Sequence, residues 1–137
     1  MPTGGQGTRA NAVAIGIGCK KSCSSEAIVA LVRRAMAAAS CADVSACLFT
    51  HESKKSEPGL AGAAKALGLP LVFLDSDVLR QASLRAVTSS PKVMELYGVP
   101  SIAETAALAG AGPAAFLLVA RMSEGGASCA IAGKRKP

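Results

Sequence analysis

Residues Gly16 to Glu26 (GIGCKKSCSSE) combine three kinds of chemistry between an apolar run and a helical pattern. The two glycines allow the backbone to approach a ligand closely. The adjacent lysines supply positive charge, and the start of the following helix offers unpaired N–H groups to an anion. The segment therefore predicts an anion-binding loop, although glycines that only form a tight turn explain the pattern equally well.

The two cysteines of this segment, Cys19 and Cys23, allow further interpretations. As a Cys-x-x-x-Cys pair they fit a metal or redox site, but zinc needs about four donors and only His51 and distant cysteines remain. As a nucleophile, either thiol would have its pKa lowered by the flanking lysines and the helix N-terminus. A packing role is favoured over the metal or redox pair. The nucleophilic interpretation stays open, although the loop contains no histidine to act as its base.

Other chemical motifs are weakly represented. Gly16 and Gly18 begin a dinucleotide-binding pattern, but Lys21 stands where the third glycine is required, and no Gly-Lys-Ser/Thr phosphate loop occurs. Glu57 is a candidate general base only if it lies close to the first loop. His51 is the single histidine, and on a loop such a residue is more often an exposed side chain than a catalyst.

Composition limits the class of protein. A chain of 137 residues predicts one domain, and a content that is 50% hydrophobic but only 3% aromatic predicts a core of Ala, Val, Leu and Ile. The formal charge of +6 favours anionic partners, whereas the dispersed aromatic residues argue against a nucleic-acid stacking surface. The odd number of cysteines predicts reduced thiols in a cytoplasm; they are Cys19, Cys23, Cys41, Cys47 and Cys129.

The sequence predicts no membrane segment. It lacks an uninterrupted apolar stretch of about 18 residues, and the apolar run that ends at Cys19 is too short for a signal peptide. Residues 1–11 are predicted to be a disordered leader, residues 12–133 a single domain, and residues 134–137 a basic tail.

Apolar runs alternate with helical stripes, which predicts parallel strands joined by right-handed crossovers. Glycines within Ser123–Gly126 predict a closing hairpin, and Ser101 and Glu104 have the spacing of a capping box. The expected fold is a three-layer α/β/α domain whose mixed, mostly parallel sheet has about five strands and ends in an antiparallel hairpin. The predicted strands are Ala12–Ile17, Val44–Phe49, Leu69–Leu74, Ala114–Val119 and Ser128–Ala132. The predicted helices are Ser25–Ala39, Pro58–Leu67, a short one beginning near Asp77 after a cap at Asp75 or Ser76, Lys92–Tyr97 and Ile102–Ala109.

This fold predicts where a ligand would bind. In an open α/β sheet, ligands bind beyond the carboxyl ends of the strands. The Gly18–Ser24 loop leaves the first strand at that edge, and His51–Lys55 and Asp75-Ser76 follow other strands. We therefore expect these three segments to meet.

Five segments carry a resemblance to a known family. They are GIGCKKSCSSE at 16–26, SEPGL at 56–60 with Lys54 or Lys55 before it, GLPL at 68–71, SPKV at 90–93, and GVPSIAE at 98–104 with AAL at 106–108. Through them, residues 12–132 resemble the CobE family and the carboxy-terminal domain of CbiG, both proteins of cobalamin (corrin) biosynthesis. The first segment is the most specific, since the family typically carries Gly-x-Gly-Cys-basic-basic-x-Cys there. The final hairpin departs from the family, with Arg121, Met122 and Ser123 where relatives often have lysines.

The resemblance implies a soluble domain that binds or processes a precorrin intermediate of the aerobic-type pathway, with neither a cofactor nor a metal of its own. Precorrins carry many acetate and propionate groups, which the lysines and amides of the first loop would bind. The candidate catalytic residues are Glu57 and Cys19. The candidate ligand-binding residues are Gly18, Cys19, Lys20, Lys21, Ser22, Cys23, Ser24, Lys54, Ser89, Ser90 and Ser101.

Three functions stay open at this point. An accessory or carrier protein for a precorrin is slightly preferred. The second is a lactone-opening hydrolase that releases acetaldehyde, as the resemblance to cobalt-precorrin-5A hydrolase implies. The third is an interaction module whose basic face docks on methyltransferases of the same pathway.

Overall fold

A computed structural model describes residues 12–40 and 45–134. The predicted leader, Cys41, Val44 and the last three residues of the basic tail lie outside the described residues. The strands are β1 (Val13–Cys19), β2 (Ala46–His51), β3 (Leu71–Leu74), β4 (Phe116–Glu124) and β5 (Ala127–Gly133). The helices are α1 (Ser25–Ala38), α2 (Pro58–Leu67), α3 (Ser76–Gln81), α4 (Pro91–Tyr97) and α5 (Ile102–Ala111), with single 3-10 turns at Glu52–Lys54 and Ser83–Arg85.

The sheet has the strand order β3-β2-β1-β5-β4. Strands β1, β2 and β3 are mutually parallel, while β5 runs antiparallel between β1 and β4. Four of the five strands therefore point in one direction, which confirms the predicted mixed, mostly parallel sheet. Gly125 and Gly126, at φ 63° and 86°, form the predicted hairpin turn between β4 and β5.

Helices cover both faces of this sheet. Helix α1 begins after Ser24, whose hydroxyl accepts a hydrogen bond from the N–H of Ala27, and together with α2 it covers one face. Helix α5 covers the other face, with α3 beside it. The three-layer prediction is thereby confirmed. The aliphatic core under α1 and α2 includes Ile15, Ile17, Ile28, Leu31, Val32, Leu48, Leu60 and Ile131.

Gly16 allows α5 to approach the sheet. A Cβ atom at this position would overlap the carbonyl oxygen of Ala103 and lie 2.6 Å from the backbone N of Ala107. The helix backbone therefore packs directly on β1. The prediction that Gly16 serves a close approach of ligand is wrong, since the space that it leaves is filled by α5.

Five elements extend beyond their predicted ends. Strand β2 runs to His51, β4 to Glu124 and β5 to Gly133, and β1 and α5 are also longer than predicted. Strand β1 continues to Cys19, because Gly18 and Cys19 pair with Ser128 and Ala127 of β5. Helix α5 continues through Gly110 to Ala111, and Gly112, where φ is 105°, caps its end. Pairing with β5 extends β1. In α5, the glycine at position 110 lets the helix pass the ring of Phe49, which a Cβ atom there would meet at 2.5 Å.

Candidate ligand-binding cleft

An open cleft of about 790 Å³ lies at the carboxyl end of β1. One side is formed by the end of β1 and the loop that follows it, and by the 3-10 turn after β2. The opposite sides are formed by α4 with the first residues of α5, and by the β4–β5 hairpin. The cleft therefore occupies the edge of the sheet at which the sequence predicts a ligand.

The rim of the cleft is rich in cations. Glu124 is the one acidic side chain among the described residues that line it, and it forms an ion pair with Arg34. Positive charge is therefore in excess, which favours an anionic ligand. The cationic side chains are Lys20, Lys21, Lys54, Lys92 and Arg121.

Helix α4 gives the cleft an apolar wall. Val93, Leu96 and Tyr97 line the cleft at i, i+3, i+4 spacing, and Ile102 at the start of α5 continues the surface. Leu96 is 63% exposed, although it is a large aliphatic residue. An apolar wall that faces a cationic rim suits a ligand with an apolar body and acidic substituents.

Tyr97 connects this wall to the end of β2. Its ring meets the ring of His51 edge to face, with 5.1 Å between the centroids. The ammonium nitrogen of Lys54 lies 6.0 Å from the centre of the Tyr97 ring. Lys54, predicted as a ligand-binding residue, is thus held at the border between the apolar wall and the cationic rim.

The backbone amides of the first loop are largely engaged within the protein. The N–H of Lys20 donates to Gly126 O at 2.9 Å, that of Ser22 to Glu57 Oε1 at 2.9 Å, and that of Cys23 to Lys20 O at 3.2 Å. The prediction that these amides bind an anion is therefore wrong for these three. The hairpin, the residue before α2 and the loop itself each supply one of the three acceptors. The contribution of this loop to the cleft is therefore the side-chain charge of Lys20 and Lys21.

Seven of the predicted ligand-binding residues line the cleft: Gly18, Cys19, Lys20, Lys21, Lys54, Ser90 and Ser101. Ser22, Cys23, Ser24 and Ser89 are not among the lining residues. Ser24 caps α1 instead, and the buried thiol of Cys23 donates to Gly125 O at 3.5 Å. Ligand contact by the seven residues stays a prediction.

The thiol of Cys19 is poorly suited to nucleophilic attack. Burial raises its pKa to about 11, against the opposing effect of Lys54, and Cys23 and Glu57 raise it further. Burial also raises the pKa of Cys23. The expectation of lowered thiol pKa values is wrong, because desolvation outweighs the nearby positive charge. Within the described residues, no three His, Cys, Asp or Glu side chains are grouped to hold a metal ion.

Glu57, the second candidate catalytic residue, lies close to the first loop but not in the cleft. Its carboxylate accepts the Ser22 N–H just before α2 begins. At Gly59 a Cβ atom would overlap the carbonyl oxygen of Cys23, so α2 packs tightly against this loop. Glu57 therefore anchors the loop from the outside.

His51 is buried, contrary to the prediction of an exposed side chain, and is 7% exposed. Its Nδ1 accepts the N–H of Ser53 at 3.0 Å, which leaves the proton on Nε2 for donation to Ser76 Oγ at 2.7 Å. This tautomer cannot take a proton from Ser76. Burial lowers the pKa of His51 below its ordinary 6.5, so the imidazole ring is neutral in the folded protein near neutral pH.

Sequence reasoning missed the parts of the cleft that come from α4 and the hairpin. Lys92 and Val93 belong to the SPKV segment, so their place in that segment was the available signal. Arg121 and Ser123 lie two residues apart on β4, a spacing that places both on one face of a strand. The remaining missed residues are Leu96, Tyr97, Ile102, Glu124, Gly125, Gly126, Ala127 and Ser128.

Glu104 follows the capping-box prediction only in part. As the capping box predicts, Ser101 Oγ accepts the N–H of Glu104 at 3.1 Å. The carboxylate does not return to Ser101, however. It accepts the N–H groups of Val87 and Thr88, each at 2.8 Å.

The fold and the cleft define a class of protein: a three-layer α/β domain with an open, cation-rich cleft at the carboxyl edge of its parallel strands. A family model described as "Cobalamin synthesis G C-terminus" matches residues 13–132. The chain therefore belongs to this family, whose members act in cobalamin biosynthesis. Within the described ranges, no helix has the length and apolar character needed to cross a membrane.

Individual relatives agree with this assignment. Protein CobE of a Sinorhizobium species is 33% identical over 138 residues, which cover 97% of this chain and 90% of that protein. The crystal structure of CobE, a protein from the cobalamin (vitamin B12) biosynthetic pathway, superposes with a TM-score of 0.77 at 35% identity and 88% coverage of both chains. The cobalamin biosynthesis protein chiG of Agrobacterium tumefaciens gives 0.68 at 31% identity, covering 90% of this chain and 99% of that one.

Proposed function

We propose that this protein binds a precorrin-type tetrapyrrole in the cleft and carries it between steps of corrin synthesis. The observation that carries the proposal is the pairing of a cationic rim with an apolar wall across one cavity. A precorrin is complementary to both, since its apolar ring matches the wall and its anionic acetate and propionate arms match the cationic rim. Membership of the cobalamin family supports the choice of this ligand class.

The size and charge of the cleft fit this ligand. Its volume of about 790 Å³ lies in the range of roughly 300–1,000 Å³ that small-molecule sites occupy. The ring would lie against Val93, Leu96 and Tyr97, while Lys20 and Lys21 would contact carboxylates through charge-assisted hydrogen bonds.

The geometry favours binding over lactone hydrolysis. A hydrolase needs a group that activates water or attacks the lactone. The Cys19 thiol, with its pKa raised to about 11, is almost entirely protonated near neutral pH, and Glu57 is committed to the Ser22 amide outside the cleft. Cys19 is therefore poorly suited to attack a lactone, and Glu57 is poorly placed to activate water in the cleft.

The test is a visible-absorbance titration with cobyrinic acid, a corrin whose side chains end in free carboxylates. We expect the Lys20→Ala/Lys21→Ala variant to bind roughly two- to thirtyfold more weakly, since each exposed charge pair contributes about 0.2–1 kcal/mol. The Lys55→Ala/Lys65→Ala variant removes the same charge from exposed positions outside the cleft, and should bind like the unaltered protein. Equal affinity of all three proteins would contradict the proposal.

Catalysis is tested separately with the relevant precorrin lactone. At stoichiometric protein we expect no acetaldehyde above the protein-free control. Acetaldehyde release that is lost in the Glu57→Gln variant would establish the hydrolase instead.

A further inference from the structure

One buried carboxylate connects the two sides of the cleft. Glu104 is fully buried on α5, at 0% exposure. Its Oε1 accepts the N–H groups of Val87 and Thr88, while its Oε2 accepts the Thr88 hydroxyl at 2.7 Å and the Arg121 N–H at 2.9 Å. The carboxylate thus has four donors from two separate parts of the chain.

The first part leads into the apolar wall. Val87 and Thr88 lie three and two residues before Ser90, which lines the cleft and caps α4 by accepting the Val93 N–H. The N–H of Ser90 also donates to Pro100 O at 2.9 Å, so the segment is fixed where α4 begins. Glu104 therefore holds the base from which α4 projects.

The second part is an irregularity in β4. Val119 and Met122 both pack against the core under α1, although residues three apart face opposite sides of a regular strand. The pairing with β5 shifts register between them, as in a β-bulge. At this irregularity the Arg121 N–H donates to Glu104, and the Arg121 side chain lines the cleft.

We propose that Glu104 is a positioning residue: it holds Arg121 at the bulge of β4 and the base of α4 in the arrangement that binds the ligand. The affinity part of this proposal rests on the proposed function. The hydrogen bonds also lower the pKa of the Glu104 carboxyl, overcoming the opposite effect of its burial. The group is therefore a carboxylate near neutral pH, with acceptors for all four donors.

Glu104→Gln separates the two connections. A glutamine can keep its oxygen toward the Val87 and Thr88 N–H groups, and its NH₂ can donate to the Thr88 hydroxyl, which both donates and accepts. That NH₂ then opposes the Arg121 N–H, a donor facing a donor. The substitution should therefore release Arg121 while it leaves Val87 and Thr88 bound.

Two readouts test this role. By NMR, amide hydrogen exchange at Arg121 should become at least about tenfold faster in Glu104→Gln, with Val87 and Thr88 unchanged. In the cobyrinic acid titration, Glu104→Gln and Arg121→Ala should each weaken binding about threefold, and the double variant should bind no more weakly than Arg121→Ala alone. A merely structural role would give additive losses.

Controls separate this proposal from the proposed function. Leu31→Ala destabilises the opposite face, so unchanged affinity in that variant shows that lower stability does not by itself weaken binding.

If Glu104→Gln does not fold, Glu104→Asp, whose side chain is one methylene shorter, should show the same faster exchange at Arg121. Unchanged exchange at Arg121 would overturn the positioning role even if the ligand binds. Absence of binding by the unaltered protein would overturn the proposed function, and the exchange experiment would still decide the role of Glu104.

Discussion

The two faces of strand β1 pack by different means. Toward α1 and α2, Val13, Ile15 and Ile17 join a core of large aliphatic side chains. Toward α5, the alternate residues of β1 are Ala14, Gly16 and Gly18, and the residues that pack on this face are mostly alanines. The first face therefore stabilises the fold by burying a large apolar area. On the second face, small residues let the helix pack close to the sheet.

That difference explains where the cleft lies. Because α5 packs directly on β1 at Gly16, its cap Ser101 and its first residue Ile102 reach the cleft beside Gly18. The same face carries buried polar groups, Glu104 and His51, whose hydrogen bonds hold the surrounding segments. The aliphatic face supports the domain, and the small-residue face shapes the site.

The largest expected effect tests the close approach itself. Gly16→Ala puts a methyl group into the backbone of α5, where no side chain can move aside, so we expect a loss of more than about 3 kcal/mol in the free energy of unfolding. The neighbouring Ile15→Val on the other face should cost only about 0.5–1.5 kcal/mol. Urea denaturation measures both, and similar small losses would refute the contrast between the faces.

The second prediction concerns the aliphatic face alone. Leu31 is 1% exposed between α1 and the sheet, so Leu31→Ala should lower the free energy of unfolding by about 2–5 kcal/mol. The folded variant should bind cobyrinic acid with unaltered affinity. If affinity fell in parallel with stability, the claim that this face stabilises the domain without shaping the cleft would be wrong.

The smallest effect is a pH dependence on the α5 face. Burial lowers the pKa of His51 from the ordinary 6.5, so the unfolded chain binds a proton more readily than the folded one. Stability should then be fully present above pH 6.5 and decline as the pH falls below that value, toward the folded pKa. The fall in Tm between pH 7.5 and 5.5 should be smaller in His51→Gln. An equal fall in both proteins would exclude His51 as the cause.

The fold was largely predictable because its signals are local. The apolar stripe of α1, the Ser24 cap and the glycines of the hairpin each act within a few residues. The alternation of strands and helices then limits the topology. Strand ends were missed where pairing with a distant strand extends them, as at Cys19.

The site was only half predictable because its decisive contacts are distant in sequence. The loop amides were expected to be available to a ligand, but Gly126 and Glu57 accept two of their hydrogen bonds. Nothing local indicates that Glu104 reaches Thr88 and Arg121 instead of its own cap. The positions of Lys20 and Lys21 in the cleft were predicted correctly, because the charge of a lysine can be read from the sequence without knowledge of its neighbours.

The central claim is that the cleft recognises a tetrapyrrole through its carboxylates. The most direct measurement compares the affinity of the unaltered protein for cobyrinic acid and for cobinamide, a corrin in which all of these side-chain carboxylates are amidated. We expect cobyrinic acid to bind at least about tenfold more tightly, with a difference that shrinks as added salt screens the exposed lysines. Equal affinity for the two corrins, or binding of neither, would contradict the account.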